Sequence, residues 1–115
     1  MSIVNLQIFG TNDCQNTRKA ERFFKERGIN FQYRNLADKG VSKGELESIM
    51  RKISLDDLFN AEGKQFKKRN MNYMKYDKEI ELLSDPLLFT TPIVRTKTDV
   101  TIGFKPEIWK NWIAD

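Results

Sequence analysis

The sequence predicts an α/β fold with a four-stranded mixed sheet, its elements in the order β-α-β, helical insertion, β-β-α. Three observations carry this expectation. Alternating apolar residues flank a helix-spaced apolar stripe near the start of the chain, which reads as a β-α-β unit. The middle loses all alternation and carries helix-capping signals instead. The final stretch returns to alternation around a turn and closes on a helix-spaced pair of tryptophans.

Element by element, Val4, Leu6 and Ile8 alternate with Asn5 and Gln7, marking the first strand. Phe9 leads into the loop Gly10–Asp13. Ala20, Phe23 and Phe24 fall at helical spacing, and Gly28 is a suitable stop for that helix. Ile29, Phe31 and Tyr33 alternate again. Two strands joined through a helix within about thirty residues are expected to run parallel. Ser42-Lys43-Gly44-Glu45 has capping-box spacing, and Leu46, Ile49, Met50 and Ile53 follow as a helical stripe. Ser54–Asp57 repeats the cap spacing before Leu58 and Phe59; Gly63 breaks the pattern, and Ile80, Leu82 and Leu83 mark a further helix. Ile93 and Val94 begin a short strand. Thr96–Asp99 forms a turn, and Val100, Ile102 and Phe104 alternate after it. Pro106 suits a helix first turn, and Ile108, Trp109, Trp112 and Ile113 mark that helix's buried face. The expected organisation is one domain over 1–115, with half-units at 1–37 and 85–115 and a helical insertion over about 38–84.

Composition narrows the function. Hydrophobic residues make up 39% and charged residues 31%, the balance of a soluble globular chain. There is no apolar stretch long enough to cross a membrane and no basic-then-apolar leader, so a cytoplasmic protein without a membrane partner is expected. A formal net charge of +4 is too small to argue for direct nucleic-acid binding. Lys67-Lys68-Arg69, the one basic triplet, reads as a solvated helix face. Histidine is absent, which excludes a Ser/His/Asp triad, a Cys/His pair and a histidine-bearing zinc site. One cysteine cannot supply a Cys-rich metal site or an internal disulfide. No bound metal or cofactor is therefore expected.

That cysteine, Cys14, sits where the first strand pattern turns into the first helix pattern. A thiol at a helix start faces unpaired backbone N–H groups and the positive end of the helix dipole, and both favour thiolate, the nucleophilic form. Arg18 and Lys19 in the first helical turn could add positive charge. The competing reading is a cysteine that fills a core. The Asn- and Asp-rich flank, which reads as an exposed loop, argues against it.

Four segments together resemble the arsenate reductase-like (ArsC/Spx) family, which has a thioredoxin-like fold. Cys14-Gln15-Asn16-Thr17-Arg18-Lys19-Ala20 is similar to its Cys-x-x-x-Arg-Lys-Ala opening. Leu58-Phe59-Asn60 with Gly63 is similar to its insert segment. Thr91-Pro92-Ile93-Val94 is similar to its Arg-Pro-Ile-Val strand entry, and Gly103-Phe104-Lys105-Pro106-Glu107 to its closing Gly-Phe-Lys-Pro-Glu. The resemblance implies an oxidoreductase in which a redox-active cysteine attacks an oxyanion held by three arginines, with glutathione and glutaredoxin, or a related thiol, as external reductant. Cys14 matches the nucleophile, with Asn16, Thr17 and Arg18 beside it, and Arg51 is matched to the insert arginine. The other two arginine positions hold Thr91 and Lys105. Lysine keeps a point charge but loses the guanidinium fork, and threonine keeps neither, so weak arsenate reduction is expected. Spx-type members imply an alternative, a regulator that binds RNA polymerase, or a member without catalysis. Where many of them carry a second cysteine this chain has Thr17, which is expected to cap the helix or hydrogen-bond the thiolate, capping being favoured. The resemblance further implies a cis Thr91-Pro92 bond beside the Cys14 loop.

Overall fold

The computed structural model describes residues 6–113; Val4, assigned to the first strand, lies outside them. Strand β1 (Gln7–Gly10) leads into helix α1 (Gln15–Glu26), which returns to strand β2 (Gln32–Asn35). The insertion follows as α2 (Lys43–Met50), α3 (Leu55–Leu58), α4 (Lys64–Lys68) and α5 (Lys78–Ser84), with 3-10 turns at Met71–Tyr73 and Pro86–Leu88. Strands β3 (Ile93–Arg95) and β4 (Val100–Ile102) form a hairpin that feeds α6 (Pro106–Ile113). The sheet order is β2-β1-β3-β4. β1 pairs parallel with β2 and antiparallel with β3, which pairs antiparallel with β4. This is the mixed, thioredoxin-like sheet expected from the sequence. No helix among the described residues is long and apolar enough to cross a membrane.

Strand periodicity sorts the core into two layers. Ile8 and Val94 point to one face, where they meet Phe23, Phe24 and Trp109 from α1 and α6. Phe9 and Ile93 point to the other, where they meet Leu46, Ile49, Leu58, Leu82 and Leu88 from the insertion. The register sets these pairs directly opposite each other, with Ile8 against Val94 and Phe9 against Ile93. Trp109 is fully buried, and its indole N–H donates to the Thr101 hydroxyl at 2.9 Å, which satisfies the one polar atom the ring brings inside. The tryptophan at 109 is thus core, as its spacing predicted.

The insertion is held by caps and by one short bridge. Ser42 and Glu45 form the expected reciprocal capping box on α2. Ser54 accepts from the Asp57 N–H at 3.2 Å to cap α3. The bridge pairs Phe59 with Phe89. Asn60 N–H donates to the Leu88 carbonyl at 2.8 Å, and Thr90 N–H to the Leu58 carbonyl at 2.7 Å. These bonds lay the chain of 58–60 beside the chain of 88–90, immediately before Thr91.

Gly63 does lie in the break between α3 and α4, where it is also the N-cap of α4. Several sequence expectations are corrected. Arg69 is not on a solvated face: its guanidinium bridges Glu81 at 2.8 Å and Asp85 at 3.0 Å, tying α4 to α5. Ile108, expected on the buried face of α6, is exposed, because neighbouring elements leave that side of the helix uncovered. Phe104 lies beyond β4, on the turn set by Gly103 at φ +77°.

Candidate functional site

Cys14 is the N-cap residue of α1, with φ −87° and ψ 115°, and its side chain makes no capping bond. The sulfur is thereby left free for other partners. It is half-buried. The Thr91 hydroxyl donates to the sulfur at 3.1 Å, and the thiol can donate to the Thr91 carbonyl at 3.8 Å. The Thr91-Pro92 bond is cis, as expected. Gly103 N–H donates to the Pro92 carbonyl at 2.9 Å, so the hairpin end steadies this corner.

The loop is anchored on both sides. Cys14 N–H donates to the Thr11 carbonyl at 3.2 Å, and Tyr33 holds the Asn12 side chain with a 2.9 Å bond from β2. Gly10 ends β1 against Thr17. A Cβ there would collide with the Thr17 hydroxyl and methyl, so glycine is what lets α1 start this close to the strand.

Thr17 does not cap the helix. It lies three residues inside α1, fully buried, and its hydroxyl has no hydrogen-bond partner of good geometry among the described residues. It is nevertheless near enough to favour a negative charge on sulfur. Burial alone pushes the Cys14 thiol up. The Thr17 and Thr91 hydroxyls and the Thr17 and Asn16 N–H groups outweigh burial, and the thiol ends below its ordinary value. These causes are hydroxyls and helix-start dipoles. The cations suggested by the sequence are not among them, since Arg18 and Lys19 are exposed and Lys19 lies over the Phe104 ring.

A cavity of 380 Å³ opens beside the sulfur, lined by Cys14, Thr91, Asn60, Lys64 and Phe89 among others. Among the described residues Lys64 is its one lining cation, against the carboxylates of Asp13 and Glu62. Lys64 pairs with Asp13 at 2.9 Å in full exposure. The structure brings Cys14, Asn16, Thr17, Thr91 and Pro92 together. It does not bring Arg51, which lines a different cavity with Leu6 and Gln7 at the opposite end of β1. Lys105 is also absent from the lining. It is half-buried at the start of α6, where its carbonyl accepts from Ile108 and Trp109. Asn60 was missed as a site residue. The signal was present in Leu58-Phe59-Asn60 with Gly63: a Cβ at 63 would strike the Asn60 amide, so that glycine lets the Asn60 side chain fold over it.

The ArsC family model matches residues 9–112. The uncharacterized protein YusI of Bacillus subtilis (strain 168) is 30% identical over 117 residues, covering 95% of this chain and 99% of that protein. Global transcriptional regulator Spx 2 of Oceanobacillus iheyensis is 26% identical over 130 residues, covering 97% and 96%. The solved YffB protein superposes with a TM-score of 0.82 at 20% identity, covering 96% of this chain and all of that one, a likeness of fold. With a family model spanning nearly its whole length and a relative matched end to end, the chain belongs to the ArsC family.

Proposed function

We propose that the protein is a thiol-dependent oxidoreductase in which the Cys14 thiolate takes a glutathionyl group from a mixed disulfide. The observation that carries this reading is the sulfur at the α1 start, receiving the Thr91 hydroxyl at 3.1 Å and flanked by the buried, unpartnered Thr17 hydroxyl. In the first step the thiolate attacks the glutathionyl sulfur. A Cys14–glutathione disulfide forms, the original S–S bond breaks, and the electron pair leaves on the released thiolate. With no second cysteine in the chain, an external thiol must attack this adduct. It leaves as a disulfide with the glutathionyl group and returns Cys14 as thiolate. Glutathione, glutaredoxin or thioredoxin fits that role.

Arsenate is the poorer substrate. A tetrahedral oxyanion wants guanidinium forks, and none lines the Cys14 cavity. Each missing donor of this kind is worth about 3–4 kcal/mol of transition-state stabilisation.

The decisive experiment follows intact mass during incubation with glutathione disulfide, then adds excess glutathione. One adduct per chain at Cys14, reversed by glutathione and absent in Cys14→Ser, supports the reading. An adduct forming no faster than on an unstructured cysteine peptide sinks it. A second reading, an Spx-like regulator binding RNA polymerase, is favoured by the likeness to Spx 2. Retention of RNA polymerase by the immobilised chain, with no adduct chemistry, would establish that reading instead.

A further inference from the structure

A cavity larger than the one at the cysteine lies elsewhere. It encloses 740 Å³ at the far end of the sheet, between the start of β1, the start of β2, the β3–β4 turn and the last turn of α2. Four cationic residues line it, Arg51, Lys52, Arg95 and Lys97, against the single carboxylate of Asp99. None of the four forms a salt bridge among the described residues. Asp99 is occupied within its own turn, where its carboxylate accepts from the Thr98 hydroxyl at 3.0 Å.

Arg95 is the telling member. Its Nη1 is buried and has no hydrogen-bond partner among the described residues. Its guanidinium lies 5.8 Å from the Phe9 ring centre, a contact that eases the charge without accepting a proton. Glu45 feels the Arg95 charge, but its two oxygens already accept from the two ends of the Arg34 guanidinium, at 3.1 and 3.0 Å. The carbonyl end of α2 gives Arg51 and Lys52 some compensation. The β3–β4 turn carries no comparable helix end for Arg95 or Lys97. That enclosed donor is a local cost, and the rest of the Arg95 side chain lines the cavity and brings the guanidinium charge to it.

We propose that this cavity binds a small polyanion of the phosphate class, with Arg95 and Arg51 as its guanidinium anchors and Lys52 and Lys97 closing the charge. Its volume lies in the range of ligand pockets, about 300–1,000 Å³. Gln7, Gln32 and Ser48 add neutral donors around the rim. The site stands apart from the thiol chemistry, since it meets β1 at Gln7, the end opposite the Cys14 loop.

Inorganic pyrophosphate tests this on the full chain, followed by amide chemical shifts and by calorimetry. Saturable shifts are expected at Gln7, Ser48 and Arg95–Asp99, above those produced by sodium chloride at equal ionic strength. Arg51→Gln and Lys97→Gln, both at the surface of the fold, should each weaken binding by about tenfold, the loss of one charge-assisted contact. Lys68→Gln on exposed α4 should leave binding unchanged. Arg95→Gln should lower the affinity most, and its circular dichroism shows whether the fold is intact. Shifts that never saturate, that equal those of chloride, or that survive both Arg51→Gln and Lys97→Gln overturn the proposal.

Discussion

The two ends of the sheet solve opposite electrostatic problems. At the Cys14 end, a negative charge on sulfur is favoured by neutral groups: two threonine hydroxyls and the N–H groups that open α1. At the Arg95 end, positive charge gathers with too few acceptors. Arg34, opposite Phe9 in the middle of the sheet, is fully matched by Glu45, whereas Arg95, opposite Gln7, keeps a buried donor unused. Both ends hang on the same strands, β1 and β3, four and three residues long and so only about 10–13 Å. The difference teaches that a nucleophile and a concentration of cations need not mark one site. In this chain the thiol is tuned by dipoles, and the cations are collected elsewhere.

The largest effect that bears on this comparison lies at Glu45. Its carboxyl is held at about 2, chiefly by the Arg34 hydrogen bonds, which overcome burial. Because the folded value is depressed, the stabilisation is present above the ordinary carboxylate pKa and is lost as pH falls toward about 2. Glu45→Gln should cost about 2 kcal/mol at neutral pH, through the lost charge-assisted pair and the weakened capping box. Urea unfolding measures it. The gap between wild type and variant should shrink steadily on acidification from about pH 4 to about pH 2. A gap independent of pH would show that Arg34 and Glu45 pack without acting as an ion pair.

A smaller effect separates hydroxyls from cations at the other end. Thr91→Val removes the 3.1 Å donor to sulfur, and Thr17→Val removes the buried hydroxyl at nearly constant volume. Each should raise the pH midpoint of Cys14 alkylation, and the double variant should raise it further. Arg18→Gln should leave the midpoint in place. A midpoint that moves with Arg18 and ignores both threonines would restore the cation account read from the sequence.

The sequence revealed the frame better than the site, for a physical reason. Period-two alternation around Ile8 and Val94, and helical spacing at Phe23, Phe24 and Trp109, are local patterns imposed by the two faces of one sheet. Cys14 was legible for the same reason, because a strand-to-helix junction is a local event. The cavity was not. Asn60 reaches it through the bond from its N–H to Leu88, across nearly thirty residues of chain, and spacing carries no trace of that pairing. Arg51 had a plausible neighbour sequence, yet α2 ends at the opposite end of β1. Gly63 was legible as a break between helices, but not its second role at the start of α4. What decided its role was the Asn60 side chain folded against it.

The smallest expected effect is the sharpest control on the contrast. Lys64 is the sole cation lining the Cys14 cavity among the described residues, so a charge-based account of the thiol would assign it a central part. Its ammonium meets Asp13 at 2.9 Å, but both side chains stand in water, 88% and 68% exposed. Solvent and salt screen such a pair, and the charge it presents to the cavity is largely cancelled by its partner. The pairing holds the Asp13 carboxyl below its usual range, with the Lys64 hydrogen bond as the main cause. Lys64→Ala should therefore leave the unfolding midpoint and the Cys14 alkylation midpoint where they are, while Asp13 titrates closer to an ordinary carboxylate. Carbon-detected NMR of the Asp13 carboxyl reads the last quantity directly. If instead the alkylation midpoint rises with the loss of Lys64, the thiolate depends on a cation after all, and the two ends of the sheet are less different than their geometry implies.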